Sequence, residues 1–166
     1  MILMSGLPCR EDVIGEFNWL GEEIVGLGDV ECPQRLERFR GILGDFDGVT
    51  AMKYLASKGL LVNRVGDLSS DFSTPYVMVH SPPWGVGTGI INGVQVGSRE
   101  VRAKILTFRP KVVFHGHSEF QGVGQLGETR VVSVGLAELG FYVRYEGEGK
   151  FSFQRLPGSS KGSSWI

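Results

Sequence analysis

Val112-Val113-Phe114-His115-Gly116-His117-Ser118-Glu119 is the stretch on which the reading of this chain turns. Three apolar residues run directly into two histidines spaced by one glycine. A short, wholly apolar run marks a strand buried on both faces. In α/β proteins the ligand site lies just past the carboxyl ends of such strands. The same construction recurs: Tyr76-Val77-Met78-Val79 leads into His80, Ile24-Val25-Gly26-Leu27-Gly28 into Asp29, and Ile42-Leu43-Gly44 into Asp45. All 3 histidines of the chain thus sit at the ends of apolar runs. Four strand-like segments deliver Asp29, Asp45, His80 and His117 towards one rim. Two carboxylates and two imidazoles suit a hard-to-borderline divalent ion, so the expectation is a metal site.

Outward from these runs, helices and strands interleave. Ile2–Met4 reads as a first strand. Glu11 to Leu20 carries Val13, Ile14, Phe17 and Leu20 at helical spacing. A helix is expected around Arg35-Leu36-Glu37-Arg38-Phe39, then a short strand from Gly41 to Leu43. Val49 to Ser57 reads as a helix stopped by Gly59. Leu60–Val62 and a segment near Val65–Leu68 look extended. The prolines and glycines from Ser81 to Gly89 predict an irregular loop, with Pro82-Pro83-Trp84 a rigid turn around a packed ring. Ser98 is a good N-cap for a helix from Arg99 to about Phe108, ended by Pro110. Alternation in Arg130–Ser133, Phe141–Tyr145 and Phe151–Phe153 predicts strands, with a hairpin turn at Glu146-Gly147-Glu148-Gly149.

The chain has 166 residues, enough for one domain that buries about 70% of its unfolded surface. Residues 1–157 read as that domain and 158–166 as a flexible Gly/Ser-rich tail. A net charge of −1 gives no electrostatic reason to expect nucleic acid, and Arg35, Arg38 and Arg40 read as a solvated helix face. No stretch approaches the ~20 apolar residues of a membrane span. Met1-Ile2-Leu3-Met4 is too short for a signal-peptide core, so a cytoplasmic protein is expected. The 2 cysteines, Cys9 and Cys32, make no disulfide framework. They read as free thiols, with a pair near the site as the alternative.

These blocks, in this order, resemble the calcineurin-like metallophosphoesterases. That family carries Asp-x-His, Gly-Asp, Gly-Asn-His-Asp, a lone histidine after a strand, and Gly-His-x-His. Here the series is Ser5-Gly6-Leu7-Pro8, Gly28-Asp29, Gly44-Asp45-Phe46-Asp47, His80-Ser81-Pro82-Pro83 and Gly116-His117-Ser118-Glu119. The resemblance spans nearly the whole chain. It implies a four-layer α-β-β-α sandwich, with two mixed β-sheets packed face to face and flanked by helices. It also implies that Asp29, Asp45, His80 and His117 hold one of the family's two ions (Mn, Fe, Zn or Ni). The other site is degenerate: Gly6 and Pro8 offer no side-chain ligand, and Glu119, in place of the last histidine, offers only an oxygen. Phe46 stands where the family has the histidine that assists the leaving group. Asp47, which orients that histidine, is left as a second-sphere residue.

Two functions follow from the resemblance. One is a hydrolase: a metal-dependent phosphoesterase acting on a phosphoester, chiefly a phosphodiester, at a single-metal site. The alternative is a non-catalytic relative that binds a phosphorylated ligand or a protein partner. A homodimer is compatible with the family's sheet edges and the apolar C-terminal end.

Overall fold

The computed structural model describes residues 1–45 and 47–158. Phe46 and, apart from Gly158, the tail expected to be flexible lie outside the described residues. In chain order the first elements are β1 (Ile2–Met4), α1 (Glu11–Trp19), β2 (Ile24–Leu27), β3 (Phe39–Ile42), α2 (Val49–Ser57), β4 (Arg64–Val65) and β5 (Leu68–Ser69). Then come β6 (Tyr76–Val79), β7 (Ile90–Ile91), β8 (Val94–Gln95), α3 (Arg99–Phe108) and β9 (Val112–His115). The C-terminal part is mostly strand, with β10 (Gln121–Leu126), β11 (Thr129–Val134), β12 (Phe141–Gly147) and β13 (Lys150–Arg155), and a 3-10 turn at Ala137–Leu139 before β12.

Two mixed sheets result, ordered β13-β12-β1-β2-β3 and β10-β11-β9-β6-β5-β4. The strands β1, β2 and β3 are mutually parallel, as are β5, β6, β9 and β11. Side-chain alternation sorts the core into three layers. Ile2 and Met4 point outward to meet Val13, Ile14 and Phe17 of α1 and Leu55 of α2. Leu3 points the other way, into an inter-sheet core with Val25, Leu27, Met78, Phe114 and Val132. Val77, Val79, Val113 and Val131 face outward again, against Ile105 of α3. Helices, sheet, sheet and helix therefore stack as the four-layer α-β-β-α sandwich expected. A strand sandwiched between two apolar layers has no polar face, which is why β2, β6 and β9 read as unbroken apolar runs.

The helix expected around Arg35–Phe39 does not form. Pro33–Arg35 makes one 3-10 turn, and Phe39 opens β3. The Phe39 ring fills the space that Gly26 leaves on the neighbouring strand, so core packing overrides local helix preference. The three arginines are tied to local partners rather than grouped: Arg35 pairs with Glu11, Arg40 with Glu23, and Arg38 donates to the Gly21 carbonyl. Cys9 and Cys32, expected as free thiols, are joined in a disulfide. The loops after β1 and β2 run alongside each other through a parallel bridge between Leu7 and Val30, and this brings the two Cα atoms to 5.3 Å. Trp84 also departs from expectation. Its ring is 43% exposed, with the Arg99 guanidinium 5.3 Å from its centroid. Among the described residues, no helix is long and apolar enough to cross a membrane.

Phe114 is fully buried between the sheets, with the Tyr145 and Phe151 rings edge-on at 5.2 and 5.4 Å. Urea unfolding of Phe114→Ala is expected to show a loss of about 3–5 kcal/mol, from lost transfer energy plus the cavity left behind.

Candidate metal centre

The parallel strands end on the same rim, and the residues just beyond them build the site. Gly28 follows β2 with φ +98°, a conformation that L side chains rarely adopt. A Cβ there would sit 2.7 Å from the backbone of Gly44, so the two Gly-Asp steps are in van der Waals contact. Asp29 itself has φ 59°, and His117, after β9, has φ 50°. Left-handed backbone at a non-glycine residue is uncommon and persists only where the surroundings enforce it. Both enforced residues present their side chains to the same point.

His80 caps β6 and is buried. Its Nδ1 lies 2.8 Å from the Leu27 carbonyl oxygen. A carbonyl can only accept, so Nδ1 carries a proton, and in the neutral ring Nε2 keeps its lone pair. That Nε2 is buried and has no hydrogen-bond partner among the described residues. It faces Asp29 Oδ2 at 3.3 Å and Asp45 Oδ2 at 3.7 Å. His117 Nδ1 lies 3.3 Å from the same Asp29 oxygen. One ligand atom each from Asp29, His80 and His117 falls within a mutual 4.8 Å. Two imidazoles and a carboxylate converging on one point, with an orphaned ring nitrogen among them, are a donor set that fits a divalent cation. Asp45 stands beside the group with a side chain 66% exposed, near enough to His80 to add a second carboxylate.

Asp47 does more than orient a missing histidine. Its carboxylate accepts from the backbone N–H of Asp29 (3.1 Å), Val30 (3.0 Å) and Gly44 (2.6 Å). It thereby locks the two Gly-Asp loops together and holds Asp29 in its left-handed turn. Supporting hydrogen bonds of this kind fix the orientation of metal ligands. Glu119 is placed elsewhere. Its carboxylate accepts from the Asn92 backbone N–H at the tip of the β7–β8 hairpin, and it is not in the three-residue group. Gly6 and Pro8 line an open cavity of about 260 Å³ with Leu7, Asp29, Glu31, Leu136 and Glu138.

His115 is fully buried and turned away from this centre. Nδ1 donates to the Gly116 carbonyl, and Nε2 accepts from the Thr88 hydroxyl, both at 2.8 Å. Burial pushes its pKa down to about 4, so the ring is neutral near pH 7. It does not supply the missing leaving-group acid. It ties the loop before β7 to β9, and Ser118 does the same by donating to the Thr88 carbonyl at 2.6 Å.

No family model matches the chain, and no curated protein matches it in sequence. Solved structures do. The protein TT1561 of Thermus thermophilus superposes with a TM-score of 0.64 at 14% identity, over 93% of this chain and 98% of that one. A phosphodiesterase from an archaeon gives 0.62 at 14% identity, over 94% and 100%. The protein TM1076 of Thermotoga maritima gives 0.54 at 19% identity, over 93% and 98%. Likeness at these identities defines the fold: the chain has the metallophosphoesterase fold.

The His115 result sets a pH dependence. Folding lowers its pKa from 6.5 to about 4, so between those values the unfolded chain holds a proton that the folded chain does not. Stability is fully present above pH 6.5 and is lost on acidification towards pH 4, by about 3 kcal/mol from this one group. Urea unfolding across that range, with a chelator present, is expected to show the decline and to show it reduced in His115→Asn. Parallel profiles for the two proteins would contradict it.

Proposed function

We propose that this chain is a metal-dependent phosphoesterase, acting chiefly on phosphodiesters, with one divalent ion (Mn, Fe, Zn or Ni) held by Asp29, Asp45, His80 and His117. The observation that carries this reading is His80 Nε2, a buried ring nitrogen without a hydrogen-bond partner among the described residues, aimed at two carboxylates. Such an atom is costly unless it has a partner, and a cation supplies one. The phosphodiesterase activity of an archaeal protein with this fold supports the substrate class.

A divalent ion at this point supplies Lewis acidity towards a phosphoryl oxygen and lowers the pKa of water towards neutrality. The rest falls to the chain. Leu27 fixes the His80 tautomer through its carbonyl, and Asp47 fixes Asp29 through its backbone amide. Asp29 and Asp45 together carry two negative charges, which offset those of the ion. Leaving-group protonation has no evident donor among the described residues: position 46 is phenylalanine, and His115 is buried and neutral. The reaction is therefore restricted to esters whose leaving group departs unprotonated.

Hydrolysis of bis(4-nitrophenyl) phosphate with added Mn, Ni or Zn tests this directly. Wild type is expected to turn over slowly, and His117→Ala to lose at least about a hundredfold, the scale of removing a stabilising contact of ~3 kcal/mol. Wild type and variant equally inert with every metal, while still binding a phosphate ester, would instead mark a non-catalytic relative.

A further inference from the structure

We infer that the Cys9–Cys32 disulfide is a redox-operated clamp on the loop that carries Asp29, so that thiol reduction loosens the metal centre; this rests on the metal reading above. The loop after β1 and the loop after β2 form a short zipper. Gly6 N–H donates to the Gly28 carbonyl (3.3 Å), Leu7 N–H to the Asp29 carbonyl (3.0 Å), and Glu31 N–H to the Leu7 carbonyl (2.9 Å). The disulfide closes the far end of that zipper. Asp29 is thus held from two sides: Asp47 takes its N–H, and the braced loop takes its carbonyl. Both contacts bear on a residue whose backbone is left-handed, with φ 59°.

The brace is covalent as well as hydrogen-bonded. The Cys9–Cys32 disulfide ties the two loops together. It is also open to attack. Cys9 is exposed and Cys32 is partly covered by the core beneath α1. A thiolate of a cellular dithiol attacks Cys9 Sγ, the S–S bond breaks, and Cys32 leaves as a thiolate and takes up a proton. The second thiol of the reductant then displaces Cys9, leaving two cysteine thiols and an oxidised dithiol.

Amide hydrogen exchange and Mn²⁺ titration calorimetry on the same samples test the clamp. Oxidised wild type, wild type treated with a phosphine reductant, and Cys9→Ser/Cys32→Ser are compared at a temperature where all are folded. Slow exchange at Val113 and Val132 in the inter-sheet strands certifies the fold. On reduction, exchange at Leu7 and Glu31 is expected to speed up and Mn²⁺ affinity to fall about tenfold, as when a group supporting a metal ligand is removed. The double variant is expected to match the reduced protein and to ignore the reductant. Tight Mn²⁺ binding indifferent to reduction, or unchanged exchange at Leu7 and Glu31, would overturn the clamp. A protein that takes up no Mn²⁺ in either state would overturn the metal reading instead.

Discussion

The hydrogen bond from His80 Nδ1 to the Leu27 carbonyl is the contact on which the functional rim depends. Leu27 ends β2 in one sheet and His80 follows β6 in the other, so the bond joins the two halves of the sandwich. It also decides the chemistry. With the proton held on Nδ1, the other ring nitrogen faces the rim as a free donor, 3.3 Å from Asp29. The pairing of His117 with Asp29 crosses between the sheets at the same place. A site assembled from facing sheets needs their separation fixed, and the inter-sheet core of Leu3, Leu27, Met78, Phe114 and Val132 sets that separation.

Around this contact the backbone is held in conformations it would not choose. Asp29 and His117 both adopt left-handed φ, and Gly28 is in contact with Gly44 where a side chain would not fit. The Asp47 carboxylate offsets that strain by collecting three backbone N–H groups from the two Gly-Asp loops. Its removal would leave those donors unpaired in a partly buried setting. The candidate ligands and the residue that positions Asp29 thus form one unit, although they come from separate loops.

Much of this was legible in the sequence because buried parallel strands leave apolar runs, and their ends are where chemistry collects. Asp29, His80 and His117 do come together, with Asp45 beside them. The failures have physical reasons. Arg35–Phe39 reads as a solvated helix face, but Phe39 is drawn into β3 by the space above Gly26. The β7–β8 hairpin follows the irregular Ser81–Gly89 loop, and its Asn92-Gly93 turn between apolar residues is the two-residue signal that marks it. Glycine-rich β10 has almost no alternation to read. The disulfide depends on the Leu7–Val30 bridge, a long-range alignment that cysteine spacing does not encode. The three-way acceptor role of Asp47 is likewise a product of loop packing rather than of its motif.

Metal stoichiometry is the measurement closest to the central claim. The protein is dialysed against Mn²⁺ or Zn²⁺, freed of excess ion and analysed by mass spectrometry of the metal, wild type beside His80→Ala. One ion per chain in wild type and none in the variant is the expected result. Two ions per chain, none in wild type, or one ion retained after loss of His80 would contradict a single centre built on that imidazole.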